Sequence, residues 1–299
     1  MAGIRRRCGR GHTDEGLSDL ARRTPDGPPP APTVQRIRLR YTKRGRLRFT
    51  SHRDFQRAFE RALRRSAVPM AYSAGFTPHP KVSYANAAPT GVASEAEYLE
   101  IGLAAPCDPE ELRVLLDESL PGGLDVIDAV EVRTSNFVER LEASEWRVRL
   151  DGVEPQEAGR AVAAFLAEER VEVERLTKNG VRVFDARGEV AALEVLPPQV
   201  DGGADTAGEE ARDVRTGRPC AILRLVVRHA TPAVRPDDVL SGLRATADLA
   251  PPVPAEVTRL AQGPLDEGTG TVTDPLALDR AAAPAGPVAT GEPRATASA

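Results

Sequence analysis

Between Arg36 and Arg65 the spacing of apolar residues changes once, while the charge stays overwhelmingly positive. Ile37, Leu39 and Tyr41 alternate with Arg36, Arg38 and Arg40, the period of two that belongs to a half-buried strand. Gly45 marks a turn, and Leu47 and Phe49 predict a second strand. Ser51, with Asp54 at the third helical position, is close to a capping box. Phe55, Phe59, Ala62 and Leu63 then fall at i, i+4, i+7 and i+8, which predicts an amphipathic helix to about Ala67. A strand and a helix that each bury one face need a layered α+β arrangement to cover both.

The rest of the chain repeats this alternation. Short strands are expected around 68–73, 81–87 and 97–103, then a helix capped by Asp108 with Leu112, Leu115 and Leu116 facing inward. Pro121-Gly122-Gly123 ends that helix, and a strand near 124–132 closes the unit. The second half reads as strand 145–151, helix 155–168 and strand 170–176, with a hairpin turn at Asn179-Gly180 leading to 181–185. Strand 220–228, a helix near 236–246 and a strand near 253–260 follow. With the hairpin set aside the order is βαββαβ. The expected fold class is therefore α+β, with two ferredoxin-like (βαββαβ) units, the first elaborated with extra strands and the whole flanked by disordered tails.

Composition sets the boundaries. Residues 1–33 lack periodicity and end in Pro28-Pro29-Pro30-Ala31-Pro32, so they read as a disordered extension or a misassigned start. Residues 34–135 form the basic α+β unit and 136–260 the second unit, with a disordered loop at about 199–218. From 261 to 299 the Ala/Pro/Gly/Thr content predicts a disordered C-terminal tail. Three widely spaced cysteines, Cys8, Cys107 and Cys220, give no disulfide framework and fit a reducing compartment. Without a secretory signal or an apolar membrane span, the expectation is a cytoplasmic protein with no membrane partner.

The charge run is the densest functional signal. Residues 36–65 carry twelve cations against Asp54 and Glu60, net +10 in a chain of net −4. On the helix, Arg53, Arg57, Arg61, Arg64 and Arg65 form a stripe opposite the Phe55/Phe59/Leu63 face. A one-signed field over a strand and a helix is the footprint of a polyanion partner. The bland reading is a solvated helix face with a Glu60–Arg64 pair, in a chain whose 37 arginines against three lysines reflect a GC-rich genome. Next comes Tyr72-Ser73-Ala74-Gly75-Phe76-Thr77-Pro78-His79-Pro80-Lys81, in which two prolines hold His79 extended. Ser73, His79 and Lys81 would project from a stiff loop beside aromatics able to stack on bases. Against this stands a rigid structural turn with Phe76 in the core.

Together with Leu47-Arg48-Phe49, Ser51-His52, Arg61-Ala62-Leu63-Arg64-Arg65, Gly91-Val92 and Ser94-Glu95-Ala96-Glu97-Tyr98-Leu99, this loop resembles the radical SAM-associated (radical SAM-linked) bacterial family, a domain of unknown function. The likeness covers about 34–260 and is strongest over 36–132. Thr77 stands where asparagine is expected in many members. The resemblance implies a radical SAM protein encoded nearby as partner, and names no reaction.

Several chemistries lack their residues. No two cysteines are close enough to hold an iron–sulfur cluster. Cys8 and His12 lack a second ligand pair, so no metal and no cofactor is expected. There is no phosphate loop or dinucleotide motif. Ser51 reads as a helix cap, and Glu95, Glu97 and Glu100 as a solvated edge strand. The expectation is an accessory protein, not itself an enzyme, that binds RNA or another polyanion and works with a separate radical SAM enzyme. The candidate contacts are Arg53, Arg57, Arg61, Arg64, Arg65, His79 and Lys81, with Ser73, Gly75, Phe76, Pro78 and Pro80 shaping the loop. Two alternatives remain: an RNA-processing enzyme with His79 or His52 as acid–base, and a protein–protein adaptor.

Overall fold

The computed structural model describes residues 30–178, 180–197 and 217–282. The strands are β1 (Gln35–Lys43), β2 (Val82–Ala85), β3 (Ala93–Leu103), β4 (Val126–Glu131), β5 (Ala143–Asp151), β6 (Glu172–Thr177), β7 (Gly180–Asp185), β8 (Val190–Leu196), β9 (Cys220–Arg228), β10 (Glu256–Gly263), β11 (Leu265–Asp266) and β12 (Thr271–Val272). The helices are α1 (His52–Arg65), α2 (Pro109–Ser119), α3 (Pro155–Ala167), α4 (Pro236–Ala247) and α5 (Ala277–Ala281). The fold is mixed α+β around one central mixed sheet, ordered β4-β1-β3-β10-β5-β9-β8, with β2 also paired to β3.

The helices start where their sequence says they should. Ser51 Oγ accepts the Asp54 amide at 3.2 Å, and Asp108 accepts the amides of Glu110 and Glu111 at 2.9 and 3.0 Å. Proline occupies the first turn of α2, α3 and α4, where its missing N–H costs nothing. α1 and α2 cover one face of the first half through Phe55, Phe59, Leu63, Leu112 and Leu116, against Ile37, Leu39, Leu99 and Ile101. α3 and α4 cover the second half, where Phe165 and Leu243 pack among Trp146, Val148, Leu150, Leu223 and Leu225.

One pairing joins the halves. β3 is 11 residues long, so one of its edges serves two neighbours. β2 takes Tyr98–Ile101, while β10 runs parallel at Ala93 and Ser94. Every other pairing in the central sheet is antiparallel.

The structure corrects several expectations. Leu47 and Phe49 do not form a strand. Gly45 sits at φ +53°, and bonds from Leu47 N–H to Arg44 O and from Thr50 N–H to Leu47 O wind Gly45–Phe49 into a 3-10 turn. Segment 68–73 contributes only bridges at Met70 and Tyr72. Strand β6 leaves the central sheet and forms a separate ribbon with β7, and β8, a strand not anticipated, takes the edge beside β9. Leu115 is 47% exposed, not inward. The boundary at 261 is also wrong. Residues 261–282 finish β10 and form the β11–β12 hairpin and α5, with Leu276 and Asp279 buried. Of the segments expected to be disordered, 1–33, about 199–218 and 261–299, residues 1–29, 199–216 and 283–299 lie outside the described residues, as does the turn residue Asn179.

The C-terminal segment covers the second face of the first half. Leu276 packs with Tyr98, Val130, Phe137 and Leu141 on the side of the sheet away from α1 and α2. This is the face to which the pleat of β1 sends Arg36, Arg38 and Arg40.

Candidate nucleic-acid interface

The basic run divides at the end of β1. Arg38 is 2% exposed and bonds to Glu100 at 3.1 Å and to Asp279 at 2.5 Å. Asp279 also accepts the Arg133 and Thr134 amides at 3.0 and 2.9 Å and pairs with Arg140 at 3.1 Å. Burial alone would raise this carboxyl's pKa, but the donors around it, Thr134, Arg133 N–H and Arg38, hold it at about 2. Arg36 pairs with Glu100, Arg44 with Glu95 and Asp125, and Arg48 with Glu256. Arg40 donates to the carbonyls of Glu95 and Leu260. Buried Lys43 donates to those of Ala88 and Pro89 at 3.0 Å each, and desolvation lowers its pKa. Arg38, Arg40 and Lys43 are thus taken up inside the fold, while Arg36 and Arg44 stay exposed but paired with carboxylates.

The α1 arginines differ. Arg53, Arg57, Arg61, Arg64 and Arg65 are all exposed. Arg57 meets Asp54 at 3.6 Å and Arg64 meets Glu60 at 4.0 Å, both on the surface, where such pairs contribute little. Arg65 donates to the Ser119 carbonyl at 3.1 Å. No ion pair is formed by Arg53 or Arg61 among the described residues.

The loop after α1 is closed on itself. Tyr72 bridges Pro80, Ser73 N–H donates to His79 O at 2.9 Å, and His79 N–H donates to Ser73 Oγ at 3.0 Å. The tip between them turns through Gly75 at φ +135°, a conformation that favours glycine. Phe76 is 71% exposed and Tyr72 40%, so Phe76 does not enter the core.

Two concavities connect these elements. A groove of about 170 Å³ is lined by Glu60 and Arg64 of α1 and by Tyr72 and Pro80 of the loop. Pro80 also borders a cavity of about 540 Å³ lined by Ser73, His79, Lys81 and Arg36, with Glu100 and Glu131 on its wall. Lys81 Nζ donates to the Thr33 hydroxyl at 2.9 Å and has no carboxylate partner among the described residues. Arg64 of the α1 stripe and a half-exposed tyrosine thus border one concavity, His79 and Lys81 the other, and the two meet at Pro80.

The carboxylates near β3 are each paired with an arginine, Glu95 with Arg44, Glu97 with Arg259 and Glu100 with Arg36 and Arg38. Glu97, expected on a solvated edge, is 2% exposed, accepts the Ala88 amide at 3.0 Å and pairs with buried Arg259. β3 is an interior strand, and that buries its middle. Ser51 caps α1 as expected, and His52 Nε2 lies 3.0 Å from Gln56 Nε2 with its ring edge-on to Tyr84.

A second polar cluster went unread in the sequence. Ser144 Oγ lies 2.7 Å from His229 Nε2, and His229 Nδ1 lies 2.5 Å from the Leu141 carbonyl. The Leu141 bond requires the proton on Nδ1, so Nε2 accepts from the serine. Desolvation, with the Arg259 charge nearby, lowers the His229 pKa despite the opposing bond to Leu141. These residues border a cavity of about 340 Å³ between the halves, with Trp146, Val92, Val234, Val257 and Asn86 on its walls. Nothing local marks the pair, because Ser144 and His229 are 85 residues apart and meet through the β5–β9 register.

Among the described residues no group of three or more His, Cys, Asp or Glu side chains could hold a metal ion. No helix there is long and apolar enough to cross a membrane. No curated protein matches the chain. Residues 36–236, more than half of the chain, match the profile of the family described as "Uncharacterized protein conserved in bacteria (DUF2344)", and the chain belongs to that family.

Proposed function

We propose that this protein binds single-stranded RNA, or an RNA-like polyanion, along the surface formed by α1 and the 72–81 loop. The observation that carries this is the contrast within one basic run: Arg38, Arg40 and Lys43 are taken up inside the fold and exposed Arg36 is paired with Glu100, while Arg53, Arg57, Arg61 and Arg64 remain exposed on α1, whose Arg64 shares a groove with half-exposed Tyr72. Cations that follow a backbone, with aromatics on which bases can stack, are what sequence-tolerant single-strand binding requires. The strand orders β4-β1-β3-β2 and β10-β5-β9-β8 support reading the two halves as two ferredoxin-like units, the second with the β6–β7 ribbon inserted. We assign the chain an accessory role beside a separate radical SAM enzyme. That assignment rests on the family resemblance of the loop and on the missing cluster cysteines.

The test is RNA binding by the triple variant Arg57→Glu/Arg61→Glu/Arg64→Glu. Affinity should fall by well over ten-fold, and the wild-type log–log salt slope should be about −2 to −3 if three or four phosphates are contacted. Wild-type affinity in the triple variant would leave the stripe as a solvated helix face.

A further inference from the structure

We propose that the cavity between the two halves, bordered by Trp146, Asn86 and His229, binds a neutral planar heterocycle of nucleoside size. The Ser144–His229 pair first suggests a nucleophile with its base, and 2.7 Å is the right distance. Burial argues against that role: Ser144 lies on the cavity wall but is only 1% exposed, and its hydroxyl is taken up by His229 Nε2. What the pair does is fix the imidazole. With Nδ1–H on the Leu141 carbonyl and Nε2 on Ser144, both ring nitrogens are taken while the residue stays exposed. Such a ring offers its face, and histidine faces stack on bases.

The surroundings suit the same ligand. Trp146, Val92, Val234 and Val257 give an apolar stretch of wall; of the charged groups that also line the cavity, Arg228 is paired with Glu267 and Arg259 with Glu97, and Arg235 and Asp237 are of opposite sign, while about 340 Å³ lies at the small end of ligand cavities. Trp146 is held in place by the Arg259 guanidinium over its ring at 5.5 Å, itself anchored to Glu97. Asn86 supplies the polar edge. Its Nδ2 lies 3.3 Å from His229 Nδ1, which carries the proton given to Leu141 and so cannot accept from it. The exposed Asn86 amide is therefore free to donate to, and accept from, the edge of a bound ring, the two-way contact by which asparagine reads adenine. Wall and locked ring are set before any ligand arrives, which lowers the cost of binding. This site is independent of α1 and of the RNA reading above.

Trp146 is the chain's single tryptophan, so its fluorescence, excited at the red edge, reports on this cavity alone. The wild-type protein is titrated with the four ribonucleosides and, separately, with short RNA oligonucleotides. A saturable change with at least one of these ligands is expected, and which arm responds tells a free nucleoside from a base presented on a strand. Asn86→Ala, a surface change, should weaken binding about five- to ten-fold, and His229→Ala by about ten-fold or more, the effect of a stacked ring. The Arg57→Glu/Arg61→Glu/Arg64→Glu variant should keep the nucleoside response, so failure of the RNA reading leaves this one standing. No saturable response to any of these ligands overturns the proposal. So does a response that is the same in Asn86→Ala as in wild type.

Discussion

β1 and α1 come from one uninterrupted basic run, yet they use their arginines in opposite ways. On β1 every second residue turns to the face that the C-terminal segment covers, so Arg38 is 2% exposed and held between Glu100 and Asp279. On α1 the apolar stripe takes one side, and the Arg57 and Arg64 side chains remain 65% exposed. The difference lies in what covers each element. A charge count from sequence therefore overstates the field a ligand would meet, because Arg38, Arg40 and Lys43 are spent inside the protein and Arg36 is paired with Glu100.

The sharpest way to break this comparison is to uncover the β1 face. A chain ending at residue 261 loses buried Leu276 and Asp279, and leaves Arg38 and Arg140 without their shared carboxylate. A buried charge stripped of its partner costs about 3–5 kcal/mol, and a lost core leucine about 2–5 kcal/mol more. Against a total of about 5–15 kcal/mol, the truncated protein should be largely unfolded at 25 °C by circular dichroism. A melting temperature within a few degrees of the full chain would show that the segment does not hold the face.

Asp279→Ala isolates the ionic part and should cost about 3 kcal/mol in denaturant unfolding. The pH dependence carries a second signature. A carboxyl held at about 2 in the fold, against about 3.9 unfolded, adds stability that is complete above about pH 4 and lost as the pH falls towards 2. The wild type should lose about 2 kcal/mol across that window that Asp279→Asn does not lose. Parallel stability curves for the two proteins would mean the carboxylate is not paired as described.

The sequence shows the elements whose apolar spacing is regular and hides those that depend on a partner. Ile37/Leu39/Tyr41 and Phe55/Phe59/Leu63 declare a strand and a helix, and both form. Val190–Leu196 holds two alanines and Glu194 and shows no clean alternation, so its period says little and β8 is not legible in it. Segment 261–282 has few large apolar residues. Its place depends on Leu276 and on one aspartate whose partners are more than a hundred residues away. The same distance hid the Ser144–His229 pair, while the exposed loop 72–81 stood out because its prolines, glycine and histidine are contiguous. Glu97 is misplaced by the sequence reading because the strands that make β3 interior, β1 on one edge and β2 and β10 on the other, are fixed by pairings that its own residues do not reveal.

The smallest expected stability effect belongs to α1, and it is the most informative about function. In Arg57→Gln/Arg61→Gln/Arg64→Gln, glutamine keeps nearly the helix propensity of arginine. The lost Arg57–Asp54 and Arg64–Glu60 contacts are exposed and long, so unfolding stability should change by less than about 1 kcal/mol. In the same preparation the salt slope of RNA binding should become shallower by about 2, because three phosphate contacts each contribute about 0.7 on a single strand. The two readouts separate the possible roles of the stripe. A stability loss as large as that of Asp279→Ala would put these arginines with those of β1, as parts of the fold. An unchanged slope at unchanged stability would mean that α1 points at solvent and that any RNA contact lies with the 72–81 loop alone.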